Sequence, residues 1–155
     1  MTCLSEDGNL FDAATIATVA ALSTTKLPKV SLPETSKSKS DSASSERYKI
    51  IDNAEKIPLA LSFLIIPSSF ALVNGFIVQD PTSEEEKLSD CSLIVIHDSE
   101  GRFVSFLKPG GTDLKVKNLD GLAVDESSVI SSLVSISSER IEHMKEILQT
   151  ALSPQ

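Results

Sequence analysis

From Leu10 to Leu22 the chain carries Phe11, Ala13, Ala14, Ile16, Ala17, Val19, Ala20 and Ala21, a composition that favours a helix and leaves it apolar on nearly every face. A helix apolar all round has no side to give to water, so the sequence predicts packing against other elements on most sides, with the alanines allowing a sheet to approach closely. The start is marked by the Asp7-Gly8 turn, with Asn9 placed to cap the following N–H groups. Asp12 falls at the third helical position, where a short acid favours exposed amides. Leu27-Pro28 ends the segment, because the residue before proline is pushed out of helical geometry.

From Tyr48 onward the pattern is mostly β. Ile57 to Ile66 is a near-continuous apolar run broken by Pro58, Phe70 to Val73 is a second run, and Phe76 to Val78 is a third. Asn74-Gly75 supplies the positive φ values of a tight hairpin between the last two. Leu93 to Ile96 and Phe103 to Leu107 read as another hairpin across Asp98-Ser99-Glu100-Gly101, closed by Lys108-Pro109-Gly110-Gly111. The acidic run Glu84 to Glu86 reads as a solvated loop.

A long amphipathic helix is predicted from Ser127 to Leu152. Ile130, Leu133, Val134, Ile141, Met144, Ile147, Leu148 and Leu152 recur at three- and four-residue steps, with Glu139, Arg140, Glu142, Lys145 and Glu146 mainly on the other side. Ser135 to Ser138 is weak in helix formers and marks a point of kinking or fraying. Residues 34–47, nearly devoid of apolar side chains, read as a flexible Ser/Lys-rich loop inside the domain. The order helix, antiparallel strands, helix gives an α+β class, one sheet with helices packed on it.

At 155 residues with 41% hydrophobic, the chain suffices for one domain with a sizeable core. A net charge of −8 opposes any broad electrostatic grip on nucleic acid, so RNA contact is expected to be local or shared with partners. Lys26, Lys29, Arg102, Lys108, Lys115 and Lys117 lie in or near turns, where they solubilise an acidic domain or, on the alternative reading, face a channel. Cys3 and Cys91, without C-x-x-C spacing, read as ordinary buried thiols of a reduced compartment, and His97 and His143 as surface residues. No metal, cofactor or nucleophile motif is present. The N-terminal stretch lacks a charged n-region and an apolar h-region, and no apolar run is long enough to cross a bilayer, so the reading is soluble, intracellular and without a membrane partner.

Asp7-Gly8-Asn9-Leu10-Phe11-Asp12-Ala13-Ala14 opening an Ala-rich helix, then Lys26-Leu27-Pro28, Ile57-Pro58-Leu59, Asp80-Pro81-Thr82 with Glu84-Glu85-Glu86, and Lys108-Pro109-Gly110-Gly111 follow one another in a recognisable order. In that order the chain resembles the RNase PH-like ring subunits of the eukaryotic RNA exosome, with the fungal ribosomal RNA-processing protein 43 branch nearest. The resemblance implies an RNase PH-like fold and a correspondence to the C-terminal half of the family domain, the family's first half being absent and one sheet edge left exposed as a docking liability.

The resemblance also implies positions for a site. Phosphorolytic members hold orthophosphate at the start of this helix with a Gly-Thr-Arg sequence, and those places fall here at Asn9, Leu10 and Phe11. Leu10 and Phe11 offer no side-chain donor, and Asp12 adds a negative charge. Active members carry a pair of acids where this chain has Asp80 and, twelve residues on, Ser92; a two-residue slip would bring in Asp90 instead and keep the strand faces. The implied role is a non-catalytic subunit of the exosome core ring in the nucleus, nucleolus and cytoplasm. Its implied partners are the other RNase PH-like subunits and the cap subunits, with RNA threading the assembled channel. The competing expectations are a phosphate-dependent 3′-to-5′ exoribonuclease using Asp80 and Asp90, and an unrelated α+β binding domain.

Overall fold

A computed structural model describes residues 2–31, 49–51, 55–110, 113–117 and 121–152. The chain opens with helix α1 (Leu10–Thr24). Two short antiparallel pairs follow, β1 (Lys26–Leu27) with β4 (Ile57–Pro58) and β2 (Val30–Ser31) with β3 (Lys49–Ile50). The main sheet comprises β5 (Ile65–Val73), β6 (Phe76–Gln79), β7 (Cys91–Asp98) and β8 (Phe103–Leu107), antiparallel in the order β6-β5-β7-β8. A short helix α2 (Ser83–Leu88) joins β6 to β7, and α3 (Glu126–Leu152) closes the described chain. This is the expected α+β class, with helices packed on an antiparallel sheet. The flexible loop expected over 34–47 lies outside the described residues.

Turn chemistry fixes the sheet register. Asn74 (φ 53°) and Gly75 (φ 89°) both take positive φ, as a two-residue hairpin turn between right-twisted strands requires, and Val73 then faces Phe76. Across the sheet Phe70 pairs with Leu93 and Leu72 with Cys91, so alternation puts all four on one face with Val95. Val129 and Leu133 of α3 pack there together with Leu114 and Val116, forming the core. Each such side chain contributes about 1.5–3 kcal/mol by leaving water. Asp98 pins the β7–β8 turn by accepting from Glu100 N (2.9 Å), Arg102 N (2.9 Å) and Arg102 Nε (2.6 Å).

Several expectations change. The run from Ile57 to Ile66 is not one strand, and Pro67-Ser68-Ser69 does not separate two; β5 passes straight through them. Ser69 O accepts from Asp80 N and Ser69 N–H donates to Asp12, so odd-numbered residues of β5 direct their main-chain groups to the β6 side. There β6 reaches only as far as Phe70, and the missing N–H of Pro67 falls on an unpaired edge. Glu84 to Glu86 form α2 and not a loop: Thr82 Oγ1 accepts from Glu85 N (3.3 Å) while the Glu85 carboxylate accepts from Thr82 N (2.8 Å), a capping box.

Ser135 to Ser138 do not end α3, which runs unbroken from Glu126 to Leu152; there Ser137 and Ser138 donate their hydroxyl protons to Val134 O and Ser135 O. His97 is buried, not on the surface: it shares the inward face of β7 with Leu93 and Val95, stands edge-on to the Phe103 ring and lies 3.4 Å from Ser137 Oγ. Burial lowers its pKa, with the nearby Asp98 charge acting the other way. Cys91 is buried as expected, and burial pushes its thiol up; Cys3 is exposed.

The largest correction concerns α1. Only Asp12 and Val19 are buried on it, while Leu10, Phe11 and Leu22 are 40–46% exposed. Its inner side lies on β5 and the opposite side is uncovered. Among the described residues no helix is long and apolar enough to cross a membrane, and no cluster of three or more His, Cys, Asp or Glu could hold a metal ion.

Candidate functional site at the start of the first helix

The sequence places α1's N-terminus beside α2 through a single glycine. Gly8 takes φ 88°, and a Cβ there would come within 2.4 Å of Pro81 O and 2.5 Å of Ser83 N. Only glycine permits that approach. The contact is held by Ser83 N donating to Asp7 O at 3.0 Å.

Asn9 occupies the N-cap position with φ 47°, yet its side chain caps nothing, contrary to expectation. Its amide Nδ2 donates to Asp12 Oδ2 at 3.0 Å and to Asp80 Oδ1. Two carboxylates on one side of the amide fix which end is nitrogen, because the reverse orientation would set oxygen against oxygen. Its backbone N–H donates to Glu86 Oε1 at 2.8 Å, across 77 residues of sequence.

Asp12 does not serve the helix amides as expected. It accepts from Ser69 N (3.1 Å) and Ser69 Oγ (2.6 Å) on β5, and Arg140 Nη1 of α3 stands 3.4 Å away. Asp12 is 2% exposed. A carboxylate this buried is tolerable because donors and a guanidinium surround it. It also satisfies the Ser69 N–H at the strand edge that β6 leaves open. Asp80, at φ 57°, follows β6 and is anchored by its N–H to Ser69 O at 3.1 Å.

Beside this network is a cavity of about 230 Å³ whose walls include Asn9, Phe11, Ser69, Glu86 and Ser92. Ser92 reaches it because it pairs with Ala71 on the face opposite the core. The structure therefore brings Asn9, Phe11 and Ser92 together, with Asp80 joined to them through Asn9. Leu10 points outward and is 46% exposed. Asp90 precedes β7, is exposed and does not line the cavity; its N–H donates to Leu72 O at 2.7 Å.

Sequence reasoning missed Ser69, Glu86 and Arg140 as members of this cluster. The Thr82-x-x-Glu85 spacing could have revealed α2, and with it the placement of Glu86. Nothing local links Arg140 to Asp12. The site carries the carboxylates of Asp12, Asp80 and Glu86 against one guanidinium already committed to Asp12. An N–H that could hold an oxyanion at this helix start is taken by Glu86. Chemically, the cluster accepts donors and repels anions.

Comparison with known proteins gives a consistent picture. Residues 64–123, covering β5 through β8 and the segment beyond, match the family described as 3′ exoribonuclease family, domain 2. The exosome complex component Rrp42 of Thermococcus gammatolerans is 35% identical over 116 residues, 75% of this chain and 38% of that protein. A solved archaeal exosome core chain superimposes with a TM-score of 0.64 at 25% identity, over 94% of this chain and 47% of that one. A chain of the Archaeoglobus fulgidus exosome with RNA bound to the active site does so with a TM-score of 0.62 at 26% identity, over 92% and 44%. The chain thus spans less than half the length of the relatives it matches.

Proposed function

We propose, from its similarity to RNase PH-like exosome proteins, that this chain is a non-catalytic structural subunit of an exosome core ring. In this role it pairs with other RNase PH-like subunits and with cap subunits, and helps form the channel that threads RNA toward a separate nuclease. It supports 3′-to-5′ processing and turnover of RNA in nucleus, nucleolus and cytoplasm. The observation that carries the proposal is the state of α1's first turn. At its N-cap the backbone N–H of Asn9 donates to Glu86 at 2.8 Å, and the Asn9 side-chain amide donates to Asp12 and Asp80. A phosphate entering there would have to displace a carboxylate and sit among two others, at a cost that Coulomb repulsion in a half-buried site makes large.

Within the family, the ribosomal RNA-processing protein 43 branch is our assignment from the order of motifs, the archaeal relatives being Rrp42 subunits. The enzymatic reading retains one supporting observation: Asp80 follows a strand and lies beside a cavity, as an acid of a phosphoryl-transfer site would. Phosphorolysis by the assembled complex separates the two readings. If Asp80→Ala leaves phosphate-dependent release of nucleoside diphosphates unchanged, the structural role stands. Release that the substitution abolishes assigns catalysis to this chain.

A further inference from the structure

The wall of the cavity beside α1's first turn holds an acceptor that no donor of the chain answers. Asn9 is 9% exposed, and the orientation that gives its Nδ2 to Asp12 and Asp80 leaves Oδ1 on the other branch of the amide, without a hydrogen-bond partner among the described residues. A buried acceptor left so calls for a donor from elsewhere. Two further polar groups stand in the same wall. Glu86 uses Oε1 on the Asn9 N–H while Oε2 takes no hydrogen bond among the described residues, and the Ser92 hydroxyl has no partner among them.

Charge selects the kind of donor. Arg140 answers Asp12 at 3.4 Å, but neither Glu86 nor Asp80 forms an ion pair among the described residues. A cation is therefore favoured over a neutral donor. Most of the remaining wall of this 230 Å³ cavity is apolar, Phe11, Phe70 and Pro81 among it. A guanidinium suits both parts: its N–H fork reaches a carboxylate and an amide oxygen together, and its flat, weakly hydrated faces lie well on an aromatic ring. A lysine ammonium is compact and holds its water more tightly. Free arginine brings a carboxylate of its own, which Glu86 and Asp80 repel, so a side chain within a polypeptide is the better source.

We infer that this cavity is a socket for an arginine side chain of another polypeptide, its guanidinium donating to Glu86 and to Asn9 Oδ1 and lying against Phe11. The inference rests on the reading that this helix start excludes oxyanions, and it names what the altered site takes instead.

The test is titration of the ¹⁵N-labelled protein, at constant ionic strength, with N-acetyl-arginine amide, N-acetyl-lysine amide, free arginine and orthophosphate in separate arms, following the amide resonances of Asn9 and Ser92. The expected result is a saturable shift with the arginine amide and affinity about tenfold weaker for the lysine amide and for free arginine. Glu86→Gln, whose side-chain oxygen can still accept from the Asn9 N–H, should weaken binding of the arginine amide by about tenfold. No saturable shift with the arginine amide, equal affinity for either competitor, or undiminished binding by Glu86→Gln would overturn the inference. If neither the arginine amide nor orthophosphate binds, only the socket falls; a saturable shift with orthophosphate overturns the reading beneath it as well.

Discussion

Helices α1 and α3 lie against the same sheet but are bound to it in opposite ways. α3 buries a stripe of Val129, Leu133, Ile141 and Leu148 and leaves its charged side to water. α1, far more apolar in composition, buries only Val19 and the carboxylate of Asp12, and exposes Leu10, Phe11 and Leu22. One helix is held by hydrophobic area, the other largely by a polar clasp at its first turn. The difference teaches that amphipathy records a finished interface, whereas apolarity on every face records an interface still to be completed.

The largest expected effect attacks the clasp. Asp12→Ala strands Ser69 N–H, one donor of Asn9 and the Arg140 guanidinium, and should lower unfolding free energy by about 3–5 kcal/mol, read from the urea midpoint. On α3, Leu133→Ala removes a fully buried side chain and should cost about 2–5 kcal/mol, with a lower melting temperature as the readout. If Asp12→Ala proves the milder by far, α1 is held by area after all and the contrast between the helices fails.

A smaller effect comes from pH. The folded pKa of His97 lies below its ordinary value of 6.5 because burial disfavours the charged ring. The folded state therefore prefers the neutral ring, and the stability this gives is present above pH 6.5 and lost as pH falls through that value toward the depressed folded one. Melting temperature should decline between pH 7 and pH 5, and His97→Gln should flatten that decline. A modest effect is expected on α1's open side, where Leu22→Ser should cost the isolated chain about 1 kcal/mol, because the residue is already 40% exposed and has only part of its area to lose.

What was legible in the sequence divides along the same line. The stripe of α3 recurs at helical spacing, and Asn74-Gly75 dictates its own turn, so both were readable locally, except that Ile147, counted in the stripe, is 46% exposed. The inward orientation of His97 was also available, since it shares parity with Leu93 and Val95. The surroundings of α1 were not readable, because hydropathy states that a surface needs cover without stating what provides it. At the candidate site, Asn9, Phe11, Asp80 and Ser92 were singled out and do gather around one helix start. Glu86 and Arg140 come from distant elements, and Ser69 joins them only because β6 stops short. No local pattern encodes those meetings.

The central claim, that α1's first turn is closed to an oxyanion by the chain's own carboxylates, is tested most directly by titrating the ¹⁵N-labelled protein with orthophosphate while following the Asn9 backbone and side-chain amide resonances. The expected result is no saturable shift at millimolar phosphate, with both resonances holding their hydrogen-bonded positions. A saturable shift of the Asn9 backbone amide, abolished by competing sulfate, would contradict the account.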